Sequence, residues 1–196
     1  MSHYYQKDPT LDYTEFPISF TVRDASFTLS SSAGVFSKEG LDTGSRILAE
    51  TILEKAEPAK QVLDLGCGIG VLGVILAHFW HCTVTGIDPN EQACLLCEKN
   101  YRKYQVDGKV IESDHIEDGQ YDMIVLNPPI RTGKAVIYSL FEQSAAHLTP
   151  GGSLWIVIRK QHGAQSAMDY LSSLGLDTSR VNRDKGFWVI EARKQS

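Results

Sequence analysis

From residue 61 onward, short β-branched runs alternate with longer segments of helical period, and few folds satisfy that alternation. Strand-like runs fit 61–65, 82–87, 109–112, 121–126 and 152–158, and helix-like segments fit 70–79, 90–104, 134–148 and 163–174. Such strands are expected in a parallel sheet whose two faces are both covered by helices. A last pair near 177–182 and 186–192, split by "RDKG", reads as an antiparallel C-terminal hairpin at the sheet edge. The expected architecture is therefore α/β, with a mostly parallel seven-stranded sheet and helices on both faces. Upstream, "ISFTVRDASFTLSSS" alternates around Arg23-Asp24-Ala25 and reads as an extra N-terminal β-hairpin. "GLDTGSRILAETILEKAE" then has helical spacing through Ile47, Leu48, Ile52 and Leu53, until Pro58 stops it. One domain is expected over 1–196, with a loose leader at 1–15, the hairpin and helix at 16–58, and a ligand-binding core at 59–196.

Composition sets the compartment and excludes some partners. At 42% hydrophobic and 22% charged residues the chain reads as a soluble globular protein. No apolar run approaches the roughly 18 residues of a membrane span, and "MSHYYQKDPTLDY" lacks the features of a signal peptide, so a cytoplasmic protein is expected. Cys67, Cys82, Cys94 and Cys97 cluster in one part of the chain, unlike a disulfide framework. Cys94-x-x-Cys97 falls inside a helical segment with no second ligand pair at metal spacing, so no metal is expected. A net charge of −5 argues against nonspecific coating of nucleic acid but leaves room for local clusters such as Arg131/Lys134 and Arg159/Lys160.

In sheets of this kind ligands bind beyond the carboxyl ends of the strands, near the point where strand order reverses. The residues that follow the strands are accordingly the informative ones. "VLDLGCGIGVLG" is a strand, a glycine-dense turn and a helix start, a backbone that can approach a ligand closely. Gly68-x-Gly70-x-x-Gly73 satisfies the dinucleotide pattern, which by itself is weak. The frame Asp64-x-Gly66-Cys67-Gly68-x-Gly70 fits better. An acid at that strand end would repel a pyrophosphate and suit a ligand ammonium, such as the methionine part of S-adenosyl-L-methionine (AdoMet). Asp88, which ends the next strand about 20 residues on, can accept both hydroxyls of a ribose. Asp114 follows the third strand, where it can accept an adenine amine, with the backbone near His115 serving the ring nitrogens.

Asn127-Pro128-Pro129-Ile130 ends the buried run 121–126. Two prolines can neither extend a ladder nor enter a helix interior, and they hold the asparagine extended. Taken in order, "VLDLGCGIG", "GIDPN", "SDHI" and "NPPI" resemble the class I AdoMet-dependent methyltransferases, which have a Rossmann-like fold. Asn-Pro-Pro resembles the element of enzymes that methylate planar nitrogens. "SSAGVFSKEGLDTGSRIL" and "HLTPGGSLWIVIRKQHG" resemble the ribosomal RNA guanine-N2 methyltransferases of the small subunit, over about residues 28 to 163.

The resemblance implies AdoMet as cofactor, held by Asp64, Gly66, Cys67, Gly68, Gly70, Asp88, Asp114, His115 and Asn127. It implies catalysis by Asn127, Pro128, Pro129 and Ile130, and an RNA substrate, ribosomal RNA foremost. The Asn127 side-chain oxygen and the Pro128 carbonyl would accept the two hydrogens of an exocyclic amine. Its lone pair would then be aimed at the methyl group, with positioning supplying most of the rate. The residue after Asn-Pro-Pro is usually aromatic and here is Ile130, which leaves Phe36 and Arg131 as candidates to stack on the base. Better-known relatives carry a further N-terminal domain, so RNA contacts here fall to clusters such as Arg131/Lys134, to dimerisation or to a protein already on the RNA. The sequence fixes no oligomeric state. Adenine-N6 or a protein glutamine are the other acceptors considered, and a nicotinamide oxidoreductase or an idle AdoMet- or RNA-binding module the other classes.

Overall fold

A computed structural model describes residues 14–35 and 40–196. Strands β1 (Glu15–Val22) and β2 (Ala25–Ser32) form the expected hairpin, closed by a two-residue turn with Arg23 at φ 54°. Most of the expected leader, residues 1–13, lies outside the described residues. Helix α1 (Thr43–Lys55) leads into β3 (Gln61–Leu65), α2 (Val71–Trp80), β4 (Thr83–Asp88), α3 (Glu91–Lys103), β5 (Asp107–Glu112) and β6 (Tyr121–Leu126). Then come α4 (Lys134–His147), β7 (Leu148–Arg159), α5 (Ala164–Ser173), β8 (Asp177–Asp184) and β9 (Phe187–Arg193).

The main sheet has seven strands in the order β5-β4-β3-β6-β7-β9-β8. β3 pairs in parallel with both β4 and β6, and only β9 runs antiparallel to its neighbours β7 and β8. Alternate residues of each strand feed opposite cores. Val62, Val84, Val125 and Trp155 pack with α1, α2, α3 and the hairpin, whereas Leu63, Ile124, Leu126 and Ile156 pack with α4 and α5. Both faces are thus covered by helices, as the apolar strands required.

The largest difference from the expected boundaries lies at β7. β7 begins at Leu148, directly after α4, and not at 152. Thr149-Pro150-Gly151-Gly152 reads as a turn, but Tyr121 pairs with Leu148 before a shift in register brings Met123 opposite Ser153. Gly151 takes a φ of 81° in this irregular stretch, and Lys194 bonds to both glycines from the far end of the chain. A bulged strand start and a turn look alike in local sequence.

The hairpin is held by side chains that act as a third strand. The backbone N–H of Thr28 donates to the Tyr104 hydroxyl at 2.7 Å, and Lys103 Nζ donates to the Thr28 carbonyl at 2.7 Å. Asn100, fully buried on α3, accepts from the N–H of Ser30 at 2.8 Å and donates to its carbonyl at 3.0 Å. The same amide donates to the Ile69 carbonyl of the glycine turn at 2.8 Å. An exposed strand edge would otherwise invite pairing with another chain. Asn100→Ala leaves buried backbone groups unpaired on both the hairpin and the glycine turn. It should lower stability by about 2–4 kcal/mol in urea titration, with the hairpin losing protection first in hydrogen exchange.

Candidate active site

β3 meets β4 on one side and β6 on the other, so the loops that follow these strands diverge and leave a crevice at their carboxyl ends. Two cavities lie there. One of about 260 Å³ is lined by Asp88, Asn90, Ser113, Asp114, Leu126 and Val136. The other, of about 230 Å³, is lined by Asp42, Ser45, Asp64, Cys67, Gly68 and Pro128. Gly66 and Asn127 line both, so the two cavities meet where the β3 and β6 loops separate.

The glycine turn is built for proximity. Gly66, Gly68 and Gly70 have φ of 72°, 55° and 95°, a region costly to other residues. A Cβ at Gly66 or Gly68 would meet nothing within 4 Å, because these residues border open space. Gly70 is different: a Cβ there would come within 2.9 Å of both Cys97 and Tyr101, so it serves packing behind the turn. Gly73 likewise yields room to the Tyr101 ring, which accounts for the last glycine of the dinucleotide-like pattern without a ligand. Cys67 is buried against Gly86 of β4.

Asp64 is 1% exposed and accepts the N–H of Gly73, in the first turn of α2, at 3.2 Å. Burial pushes its carboxyl up to about 7, the Gly73 N–H pulls it down, and the nearby Asp88 carboxylate raises it further. Asp88 accepts the N–H groups of Gly68 and Asn90 at 2.9 Å each. Burial raises its carboxyl too, against the pull of Asn90 and Gly68. Each oxygen retains lone-pair capacity toward the cavity. Asp114 is exposed and pairs with His115 Nδ1 at 2.8 Å, which holds the imidazole above its ordinary pKa. The His115 N–H is engaged by the Ser113 hydroxyl, and Ser113, not His115, lines the cavity.

Asn127 is exposed at the end of β6, and its Nδ2 lies 3.2 Å from Ser45 Oγ and 3.4 Å from Asp42 Oδ2. The Pro129 carbonyl accepts from the Thr132 N–H at 3.0 Å and from its hydroxyl at 2.6 Å, which folds Ile130–Thr132 into a short 3-10 turn. Ile130 is half-buried and borders a separate cavity of about 150 Å³ with Lys134, Tyr138 and Ile158. Arg131 is exposed, and Lys134 lies 5.2 Å over the Tyr138 ring. Phe36 falls outside the described residues.

The fold also brings in Phe187, which sequence reasoning missed, and gives Arg159, expected only as local surface charge, a contact with it. Phe187, at the start of β9, approaches Gly44 of α1 so closely that a Cβ there would be 3.1 Å from the ring and 3.6 Å from Asn127 Nδ2. Arg159, at the end of β7, holds its guanidinium 4.3 Å from the Phe187 ring centroid. The capping pattern of "LDTGS" would have located the start of α1, though not the asparagine it meets.

Strand order and crevice define the class: a Rossmann-like methyltransferase fold. The structure matches the T. thermophilus 16S rRNA N2 G1207 methyltransferase in complex with AdoMet and guanosine at a TM-score of 0.82 and 27% identity, over 95% of this chain and 52% of that one. The particular family follows from the sequence. The model of the methyltransferase small domain matches residues 26–191, and the chain belongs to that family. A Bacillus subtilis relative, the uncharacterized protein YbxB, is 40% identical over 98% of both chains. Ribosomal RNA small subunit methyltransferase C of Erwinia tasmaniensis is 35% identical over 76% of this chain and 44% of its own length. The chain thus spans about half the length of the relatives whose names state an activity on ribosomal RNA.

The family's cofactor, AdoMet, fits the residues present: open space over Gly66 and Gly68, and a buried acid, Asp64, that pairs with no cation among the described residues. That acid carries a cost. Folding raises the Asp64 carboxyl above its unfolded value of 3.8, so the native chain retains a proton that the unfolded chain releases. Stability therefore falls as pH rises from about 4 to about 7, by up to about 4 kcal/mol from this group. Asp64→Asn should raise the thermal midpoint of the free protein at pH 7.5 and flatten its dependence on pH over that window.

Proposed function

We propose that the chain transfers a methyl group from AdoMet to the exocyclic N2 of guanine in ribosomal RNA. The observation that carries this reading is the place of Asn127. It stands where the two cavities meet, with its amide nitrogen turned toward α1 and its oxygen left to accept. The methyltransferase small domain family and the likeness to ribosomal RNA methyltransferases support the substrate class.

AdoMet, when bound, supplies an electrophilic methyl group on a sulfonium. The chain's own residues do the rest by placement. Asp64, ionised beside the ligand's ammonium, holds the amino-acid end, and Gly66 and Gly68 admit it against bare backbone. Asp88 takes the ribose hydroxyls and Asp114 the adenine edge in the larger cavity. The amine of guanine is a poor nucleophile because its lone pair is delocalised into the ring. Asn127 Oδ1 and the Pro128 carbonyl accept its two hydrogens, which favours a pyramidal nitrogen and fixes the direction of attack. No strong base is required, because the product ammonium is acidic enough to lose its proton to water.

With Ile130 bordering a different cavity, Phe187 supplies the aromatic face for the base, backed by Arg159. Arg131, Lys134, Arg159 and Lys160 offer positive charge to the RNA backbone from the stretch between β6 and the start of α4 and from the end of β7.

The test is tritiated methyl transfer from AdoMet to total RNA from cells lacking the protein, followed by nucleoside analysis. A labelled N2-methylguanosine peak is expected. Label in adenosine would move the acceptor, and no label in RNA despite AdoMet binding would overturn the RNA reading. Asn127→Ala should cut transfer by about 10²–10³-fold with AdoMet affinity retained in calorimetry. Phe187→Ala should slow transfer at limiting RNA by roughly tenfold, the scale of one lost stacking contact.

A further inference from the structure

The two ends of an amide side chain are nearly alike in shape, so its hydrogen-bond partners decide which end faces a cavity. At Asn127 those partners are both on the first turn of α1. A carboxylate oxygen only accepts, so the contact to Asp42 Oδ2 at 3.4 Å assigns the NH2 group to that side. Ser45 Oγ, at 3.2 Å, accepts from the same nitrogen. Asp42 is not free to turn away. Its Oδ2 also takes the backbone N–H of Ser45 at 2.9 Å, the bond that caps α1. Gly44 sits between them: a methyl group there would press on the Phe187 ring at 3.1 Å and lie in van der Waals contact with Asp42 Oδ2 at 3.4 Å and Asn127 Nδ2 at 3.6 Å. The helix start is therefore both a cap and a template for the asparagine.

We infer that Asp42 and Ser45 are positioning residues for methyl transfer, which hold the Asn127 amide with Oδ1 toward the acceptor nitrogen and polarise that oxygen through the Asp42 charge. The inference rests on the proposed role of Asn127 as acceptor of the target amine. The carboxylate contributes in two ways. It excludes the flipped amide, which would set an oxygen against an oxygen and present donors to an amine that needs acceptors. It also draws positive charge onto the NH2 group and leaves Oδ1 richer in electron density, as charge-assisted pairs do. A cap alone needs neither effect, since serine or asparagine caps a helix as well as aspartate.

That difference makes the two roles separable. Asp42→Ser keeps a capping oxygen but shortens the side chain away from Asn127. At saturating AdoMet, the rate of tritium transfer into the RNA described above should fall about tenfold or more, while the thermal midpoint stays near that of the wild type. Asn127→Asp sets one carboxylate against another and should lower transfer further. Combining Asn127→Asp with Asp42→Asn restores a donor at position 42 facing an acceptor at position 127, and should recover at least tenfold over Asn127→Asp alone. Full activity of Asp42→Ser, or a combined variant no better than Asn127→Asp, would overturn the positioning role. Asn127→Ala separates this from the parent reading. If that variant were fully active, the role of Asn127 itself would fall; if inactive beside a fully active Asp42→Ser, only the positioning role would.

Discussion

Parallel pairing of β3 with β4 on one side and β6 on the other is the constraint from which the rest of the site follows. Each loop must leave its strand at the same end and travel to a different face, so the backbone opens where Leu65 and Leu126 end their ladders. The glycine turn fills one wall of that opening and Asn127 the other. Because the strands are buried on both faces, their side chains are committed to packing, and polar chemistry is confined to the residues just past their ends. The crevice is a consequence of strand order before it is a binding site.

Stability is given up around this opening. Asp64 and Asp88 are both desolvated, and both carboxyls are raised by it. Three alternate glycines, Gly66, Gly68 and Gly70, hold left-handed backbone that other residues resist. The compensation lies behind the site, where α2 and α3 meet the sheet with Tyr101 wedged against Gly70 and Gly73. Asn100 ties the same turn to the N-terminal hairpin. A ligand that brings a cation to Asp64 would recover some of what its burial costs, so on the proposed reading cofactor binding would raise folding stability through this one acid.

The N-terminal segment is joined to the site from the other side. Asp42 caps α1, whose first turn touches Asn127 and Phe187 while its body packs in the same core as the hairpin. β9 contributes Phe187 and is reached by the antiparallel hairpin that ends the sheet. The proposed acceptor pocket is thus framed by three parts of the chain far apart in sequence. Nothing in the glycine turn, which the proposed reading assigns to the cofactor, bears on their arrangement.

Much of this was readable from residues alone. The strand–helix alternation gave the layers and all seven strands of the sheet, because the burial demands of strands and helices leave their period in local sequence. The positions of Asp64, Asp88, Asp114 and Asn127 along the crevice were expected from their places at or just past strand ends. The start of β7 was misplaced because Pro-Gly-Gly serves a bulge as readily as a turn. Ile130 stood out as a departure, but its orientation toward α4 and α5 could not be read, since the 3-10 turn that aims it depends on Thr132. By itself the sequence determined which residues flank each strand, as backbone preference and apolar period act between neighbours in the chain. Only the tertiary structure decided that Asp42 and Ser45, 85 and 82 residues away, meet Asn127, and that Phe187 joins them. Such contacts depend on which strands lie side by side, and no local period encodes that order.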